Sequence, residues 1–414
     1  MSNRRPGRAA VTGIGVVAPN GLRTDAYWKS VREGIGVLDL ISREGCDHLP
    51  LRVAGEVRAF DPAALIEDRF LVQTDRFSHF AMAAAALALD DAGLGGDPAE
   101  PFSIGVVTAA GSGGGEFGQR ELQKLWGKGS KFVGPYQSIA WFYAASTGQI
   151  SIRSGLKGPC GVVASDEAGG LDSLAHASRA VGRGTDVMVV GAAEAPLAPY
   201  SMVCQLGYPE LSTLDDPERA YRPFTEKACG FVPAEGGALL VVEDEDRARR
   251  RGVPVRATVA GHAATFTGAS RWAESREGLA RAIRGALDEA GCAPEEIDVV
   301  FADALGVPEA DRAEALAIAD ALGAHGTRVP VTAPKTGIGR AYCAAPVLDT
   351  VAAVLAMEHG QVPPTPNVFD VCHDIDLVMS RARPAELRTA LVLSRGLMGS
   401  NAALVLRRGD DSAR

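Results

Sequence analysis

Apolar runs rich in Val, Ile and Leu alternate along the chain with longer stretches rich in Ala and Leu. Short β-branched runs suit strands, and long Ala/Leu stretches suit buried helices. Ala9–Val17 reads as a strand followed by an Asn20-Gly21 turn. Phe77–Ala92 reads as a buried helix stopped by Gly93, since glycine takes the left-handed conformation that ends helices. Ser103–Thr108 and Val162–Ala164 read as strands, the second leading into a helix over Ala168–Arg183 and a strand over Asp186–Val190. Gly237–Glu243 reads as the strand closing the first half. Such alternation implies an α/β protein.

The second half repeats the first. Ala88-Leu89-Asp90-Asp91-Ala92-Gly93 precedes the strand at Ile104–Thr108, and Ala286-Leu287-Asp288-Glu289-Ala290-Gly291 precedes the strand at Asp298–Phe301. The strand at Ala10–Ala18 has a partner in Ala257–Thr265. Their shared order at a separation near half the chain implies duplication. No Ser/Gly-rich linker divides the halves, so one compact body of two facing α/β halves is expected.

The segment Val162-Val163-Ala164-Ser165-Asp166-Glu167-Ala168-Gly169-Gly170 runs from a buried strand through a sharp turn into a helix with small residues in its first turn. This is the pattern of a nucleophile elbow, which presents one side chain at a helix N-terminus. Glu167 stands at the turn. The helix dipole favours a carboxylate there. As a nucleophile it replaces a thiolate poorly, because an acyl-carboxylate is an anhydride and hydrolyses readily. Cys160 lies nearby but follows Gly158-Pro159 and reads as the start of the strand.

Composition narrows the possibilities. The 414 residues are 46% hydrophobic and 22% charged, an ordinary globular balance. The net charge of −9 and the absence of a basic tract argue against nucleic acid. The run 247–251 (RARRR) follows acidic residues 243–246 and reads as a solvated helix face. No apolar stretch is long enough to span a membrane. The basic start MSNRRPGR lacks the apolar core of a signal peptide. Seven scattered cysteines without a CxxC pair suggest neither a disulfide framework nor a zinc site and fit a reducing cytoplasm. Cys204, Cys343 and Cys372 read as buried small hydrophobes, and His373 as part of a surface loop after Pro363-Pro364-Thr365-Pro366. The glycine run Gly111–Gly115 has no GK[ST] after it, so no nucleotide site is expected. No metal or cofactor is called for.

Longer motifs give a sharper reading: Trp141-Phe142-Tyr143-Ala144, Thr147-Gly148-Gln149-Ile150-Ser151-Ile152-Arg153, Asp216-Pro217-Glu218-Arg219-Ala220-Tyr221, Pro233-Ala234-Glu235-Gly236-Gly237-Ala238, Val299-Val300-Phe301-Ala302-Asp303 and Val331-Thr332-Ala333-Pro334-Lys335-Thr336. Nearly end to end, the chain resembles the β-ketoacyl synthases of the thiolase superfamily. Within them it is most similar to the chain length factors, the ketosynthase β subunits of bacterial type II polyketide synthases. The resemblance implies a thiolase-like fold: halves at residues 1–250 and 251–414 forming a layered αβαβα body. Condensing members carry a Cys-His-His set. By the resemblance those positions fall on Glu167, on Asp303 (fixed by the downstream Asp311, Arg312 and Glu314) and on Arg340, five residues after Lys335. Chain length factors commonly have Gln at the first position, so Glu167 departs from that pattern as well.

All three replacements oppose condensation. A thiolate must hold the acyl chain, and neutral imidazoles must stabilise the enolate left by decarboxylation. Asp303 would repel that enolate, and Arg340 would stay charged. The three are expected to form a partly self-neutralising trio, with Arg340 within ion-pair reach of Glu167 or Asp303. The resemblance further implies pairing with a ketosynthase α subunit and supply of malonyl groups and the growing chain by an acyl carrier protein. It implies a chain-length tunnel lined here by Gly115, Gly118, Leu122 and Ile139, the first two on or beside a helix over Glu116–Trp126. The implied product is a poly-β-ketone, an aromatic polyketide precursor. Rival readings are decarboxylation of malonyl carrier protein through Glu167, an acyltransferase using Cys160, and the equivalent subunit of a polyene or reducing pathway.

Overall fold

The computed structural model describes residues 8–96, 98–268 and 272–409, so the basic start and the last five residues lie outside it. Eleven strands form the main sheet. They are β1 (Ala9–Val17), β2 (Ile104–Ala109), β3 (Cys160–Val163), β4 (Val187–Glu194), β5 (Gly236–Asp244), β6 (Ala257–Phe266), β7 (Val299–Phe301), β8 (Pro330–Thr332), β9 (Asp376–Leu377), β10 (Thr389–Arg395) and β11 (Ser400–Arg408). Their order is β9-β8-β7-β10-β11-β6-β1-β5-β4-β2-β3. Of the seven strands the sequence predicts, six lie within a residue or two of the expectation; β4 runs on to Glu194, which puts that carboxylate at the end of the strand, and β8 to β11 have no counterpart in the sequence reading.

The order is palindromic about the β1–β6 pair. From β1 outward, β5 and β4 each pair antiparallel with the previous strand, and β2 and β3 follow in parallel. From β6 outward, β11, β10, β7 and β8 repeat that pattern. Among the described residues the two sets of strands pair with each other at three antiparallel residue pairs, Ala9–Val11 against Ala257–Val259.

The duplicated sequence segments are duplicated contacts. Helix α1 (Arg76–Asp91) packs on β1, where Gly13 and Gly15 leave no room for a side chain: a Cβ on Gly13 would stand 2.2 Å from Ala88 O. Helix α6 (Ser275–Ala290) packs on β6 in the same way, and a Cβ on Gly261 would stand 2.2 Å from Ala286 O. The Ile14 N–H donates to Asp91 Oδ2 at 2.9 Å, and the His262 N–H donates to Glu289 Oε2 at 2.6 Å. Both strands also carry a register irregularity just before these contacts, at Val11/Gly13 in β1 and opposite Val405/Leu406 in β6.

Three apolar clusters hold five layers together, the middle one spanning both sides of the central helices. Helix α1 covers one face of β1, β2, β4 and β5. Helices α6 and α7 (Pro308–Leu322) cover one face of β7, β10 and β11. Helices α4 (Gly169–Gly182) and α8 (Ala345–His359) lie between the two sets of strands. A helix in a middle layer has no solvent face, and every residue of α8 from Ala345 to Met357 is buried. Among the described residues no helix is long and apolar enough to cross a membrane.

The run 247–251 is less solvated than its composition suggests. It ends the helix Glu245–Arg251, and Arg247 and Arg251 both reach back to Glu243, which is fully buried at the end of β5. A buried carboxylate needs such partners.

Candidate functional site

The elbow forms between β3 and α4. Its left-handed residue is Asp166 (φ 58°), and Glu167 is the residue after it. Aspartate tolerates this conformation better than most residues. Both side chains turn toward the loop after β10. The Met398 N–H donates to Asp166 Oδ2 at 2.6 Å, and the Leu397 N–H donates to Glu167 Oε2 at 2.9 Å. Gly396 is required beneath them, since a Cβ there would lie 2.1 Å from Asp166 Oδ2. Gly170 allows the first turn of α4 to sit 2.2 Å, measured from a virtual Cβ, from Cys343 O. Glu167 is 3% exposed. Burial raises its carboxyl well above the usual range; Asp166 adds to this and Arg340 opposes it.

Asp303 and Arg340 meet as a buried ion pair. Asp303 follows β7, and Arg340 follows a 3-10 turn over Pro334–Gly337. Arg340 Nη2 lies 2.8 Å from Asp303 Oδ1, and each side chain is 1% exposed. Arg340 also donates to Asp303 O at 3.2 Å and Arg395 O at 2.5 Å. The expected trio needs correction. Among the described residues Glu167 has no ion-pair partner, and a second cation, Arg395 at the end of β10, joins Asp303 instead. Arg395 Nε lies 3.2 Å from Asp303 Oδ2, and Arg395 Nη2 lies 2.9 Å from Glu314 Oε2. Glu314 in turn accepts the N–H groups of Asp303 and Ala304 at 2.7 and 2.9 Å. Lys335 sits behind this group, 2.5 Å from Asp349 Oδ2, and donates to Ala302 O and Asp303 O. Burial alone would raise the Asp303 carboxyl; Arg340, Arg395 and Lys335 outweigh it and hold it below the usual range. Burial raises Glu314, against the pull of Arg395.

Asp311 gives this cluster a pH signature. It accepts the Phe224 N–H at 2.8 Å and the Gly306 N–H at 2.9 Å, yet burial lifts its carboxyl to about 7. Burial likewise lifts Asp349 to about 6, against Lys335. A carboxyl raised on folding stabilises the fold while protonated, and that contribution is lost as pH rises through the folded value. The denaturant midpoint is therefore expected to rise as pH falls from 7.5 to 5.5, a window above the one in which Asp303 loses its charge. Asp311→Asn should flatten that slope while lowering the midpoint, because its amide offers one acceptor to two N–H donors. A parent slope no different from that of Asp311→Asn would contradict the assignment, since the partly buried His79, held down to about 4, opposes the trend equally in both proteins.

A cavity of about 630 Å³ opens beside the elbow, lined by Asp166 and Glu167 on one side and by Gly115, Tyr143, Ser201 and Tyr208 on another. Of the four residues expected in a tunnel, Gly115 lines this cavity. It begins α2 (Gly115–Lys128), one residue earlier than the sequence pattern suggested. Gly118 is buried on the same helix, beside Trp141 and Gln137. Leu122 and Ile139 are 37% and 36% exposed, Ile139 lying on α3 (Gln137–Ala140). Cys160 is exposed at the start of β3, as read. Cys343 is buried, but Cys204 and Cys372 are exposed, against expectation. Cys204 lies on α5 (Pro199–Gln205) and faces the cavity, and Cys372 lies in an irregular loop with His373. No cluster of potential metal ligands occurs among the described residues.

A duplicated five-layer αβαβα body with a strand–turn–helix elbow at its cavity defines the thiolase-like class of ketosynthases. The descriptions "Beta-ketoacyl synthase, N-terminal domain" and "Beta-ketoacyl synthase, C-terminal domain" match residues 7–248 and 256–369. The chain belongs to the β-ketoacyl synthase family. It is 78% identical to "Putative polyketide beta-ketoacyl synthase 2" of Streptomyces cyaneus, over 99% of this chain and 98% of that one. It is 49% identical to the tetracenomycin polyketide synthase ketoacyl synthase beta subunit of Streptomyces glaucescens, over 97% and 99%. Among solved structures it superposes on the ishigamide ketosynthase/chain length factor with a TM-score of 0.88 at 28% identity, covering 97% of this chain and 99% of that one.

Proposed function

We propose that this chain is the non-condensing β subunit, or chain length factor, of a type II polyketide synthase. It pairs with a ketosynthase α subunit that supplies the thiolate, and it limits how many malonyl units are added. The acyl carrier protein delivers those units and the growing poly-β-ketone to the pair. In this proposal Glu167, Asp303 and Arg340 stand at the three positions of the Cys-His-His set, residues 1–250 and 251–414 are the two halves, and the cavity at Gly115 is the chain-length tunnel.

The observation that carries the reading is the absence of usable chemistry at the elbow. Glu167 offers a buried carboxyl where a thiolate is needed. Arg340 is committed to Asp303, so neither can donate a neutral N–H to an enolate. The Leu397 and Met398 N–H groups, which could otherwise hold a developing oxyanion, are taken by Glu167 and Asp166. The surface also suits a partner. Tyr143 and Tyr200 line the cavity and are exposed, Trp141 nearby in sequence is 51% exposed, and β3 is the last strand of the sheet, with no strand on its outer edge among the described residues. Exposed apolar patches and open strand edges are characteristic of interfaces.

Gly115→Phe tests the tunnel. The ring should fill part of the cavity and shift the pair's products to shorter chains, while total condensation persists because the chemistry lies in the other subunit. Gly115→Ala controls for helix propensity, worth roughly 1 kcal/mol. Its Cβ would stand 2.1 Å from Ser201 Oγ, the end of a side chain that can rotate away. Parent product lengths from both variants would remove Gly115 from the tunnel.

A further inference from the structure

Two successive backbone N–H groups reach the elbow from the hairpin turn that joins β10 to β11. The turn is closed by the Gly396 N–H, which donates to Ser400 O at 2.8 Å, and the Gly399 N–H, which donates to Gly396 O at 3.1 Å. Leu397 packs into the cluster around Leu211 and Phe231, and Met398 is exposed. Adjacent N–H groups of a turn are a ready site for an anion or a developing oxyanion. Here the chain's own side chains fill that site. Glu167 accepts from Leu397 at 2.9 Å and Asp166 from Met398 at 2.6 Å. The two carboxyl groups are also hydrogen-bonded to each other. Both line the cavity, so they stand between the N–H pair and whatever enters from it. The elbow holds them there. Asp166 O accepts the Gly169 N–H at 3.1 Å and the Cys343 thiol at 3.0 Å, and Glu167 O accepts the Ser394 hydroxyl at 3.4 Å.

We propose, resting on the reading of this chain as a non-condensing subunit, that its elbow is self-occluded. Asp166 and Glu167 occupy in cis the N–H pair that would take the carbonyl oxygen of a malonyl or acyl thioester, and so turn carrier-bound substrate away from this subunit. A hydrogen bond to an ionised acceptor is roughly twice as strong as one to a neutral carbonyl. The carboxyls are also tethered by the chain, so a thioester arriving from solution meets a competitor at high effective concentration. A malonyl group would bring a further carboxylate against two acidic side chains. Removing these side chains therefore opens a binding site, the opposite of what a catalytic Glu167 requires.

Hydrogen exchange at the Leu397 and Met398 amides tests this, read by mass spectrometry on the purified pair, since peptides carrying those residues report on this chain's elbow alone. The probe is malonyl pantetheine with an amide in place of the thioester, which resists hydrolysis. In the parent both amides are expected to exchange slowly, and the probe to change nothing. In Asp166→Gly/Glu167→Ala both should exchange about tenfold faster, the equilibrium worth of one hydrogen bond of ordinary net strength, and the probe should slow them again. Asp166→Gly alone, where glycine keeps the left-handed backbone, should free Met398 only, and Glu167→Gln, which keeps an acceptor, should free neither. Equal exchange in the parent and the double variant, or faster exchange that the probe does not reverse, would overturn the proposal, as would protection of the parent by the probe. If the double variant fails to pair, Asp166→Gly decides at Met398 by the same criteria. Condensation by the parent pair, and by the pair lacking the α subunit's elbow cysteine, tests the non-condensing reading separately, so either can fail without the other.

Discussion

Asp303→Ala is expected to destabilise the protein by about 3–5 kcal/mol, the usual cost of removing one partner from a buried ion pair. The substitution strands two guanidiniums, since Arg340 and Arg395 each bond a different oxygen of the same carboxylate. Both are among the most deeply buried large side chains, so water cannot replace the lost partner. Burying unpaired charge carries most of the penalty, and the net worth of the pair itself is smaller. Adding Arg340→Met should therefore recover part of the loss, because it removes one of the orphaned cations. Asp303→Asn, which keeps an acceptor for the Arg395 N–H, should fall between the parent and Asp303→Ala. Denaturant midpoints of the parent, Asp303→Ala, Arg340→Met and the double variant form a double-mutant cycle. A neutral Asp303→Ala, or strictly additive losses, would show that the cluster is not a coupled unit.

Much of the fold was legible because duplication left its mark where packing is tightest. Gly13 and Gly261 are fixed by the approach of a helix backbone, and Asp91 and Glu289 by a strand N–H they must accept. The same constraint in each half keeps the same residues at the same spacing. The elbow was legible for a similar reason, since small residues must begin α4 where it passes under Cys343. The Asp303–Arg340 pair followed from the cost of burying either charge alone.

What escaped was set by contacts distant in sequence. Arg395 ends an otherwise apolar strand, a position that reads as the point where a chain leaves the core. Only the fold reveals that it turns inward between Asp303 and Glu314. Asp166 was overshadowed by Glu167, although a left-handed residue at a turn favours Asp on local grounds alone. Cys204 read as a core residue because cysteine behaves as a small hydrophobe, whereas it lines the cavity and is exposed.

The division of labour between the two subunits is the central claim, and condensation by the reconstituted pair tests it most directly. Malonyl carrier protein is supplied to four preparations: this chain alone, the parent pair, the pair with the α subunit's elbow cysteine replaced by alanine, and the pair carrying Glu167→Gln in this chain. Glu167→Gln keeps the shape of the side chain and an oxygen for the Leu397 N–H, so the fold and the cavity should survive it. Removing a true nucleophile costs a factor of about 10³ or more in turnover. The account predicts no condensation by this chain alone, loss on that scale when the α subunit's cysteine is replaced, and turnover close to the parent pair with Glu167→Gln. Condensation by the isolated chain, or a comparable loss with Glu167→Gln, would contradict it.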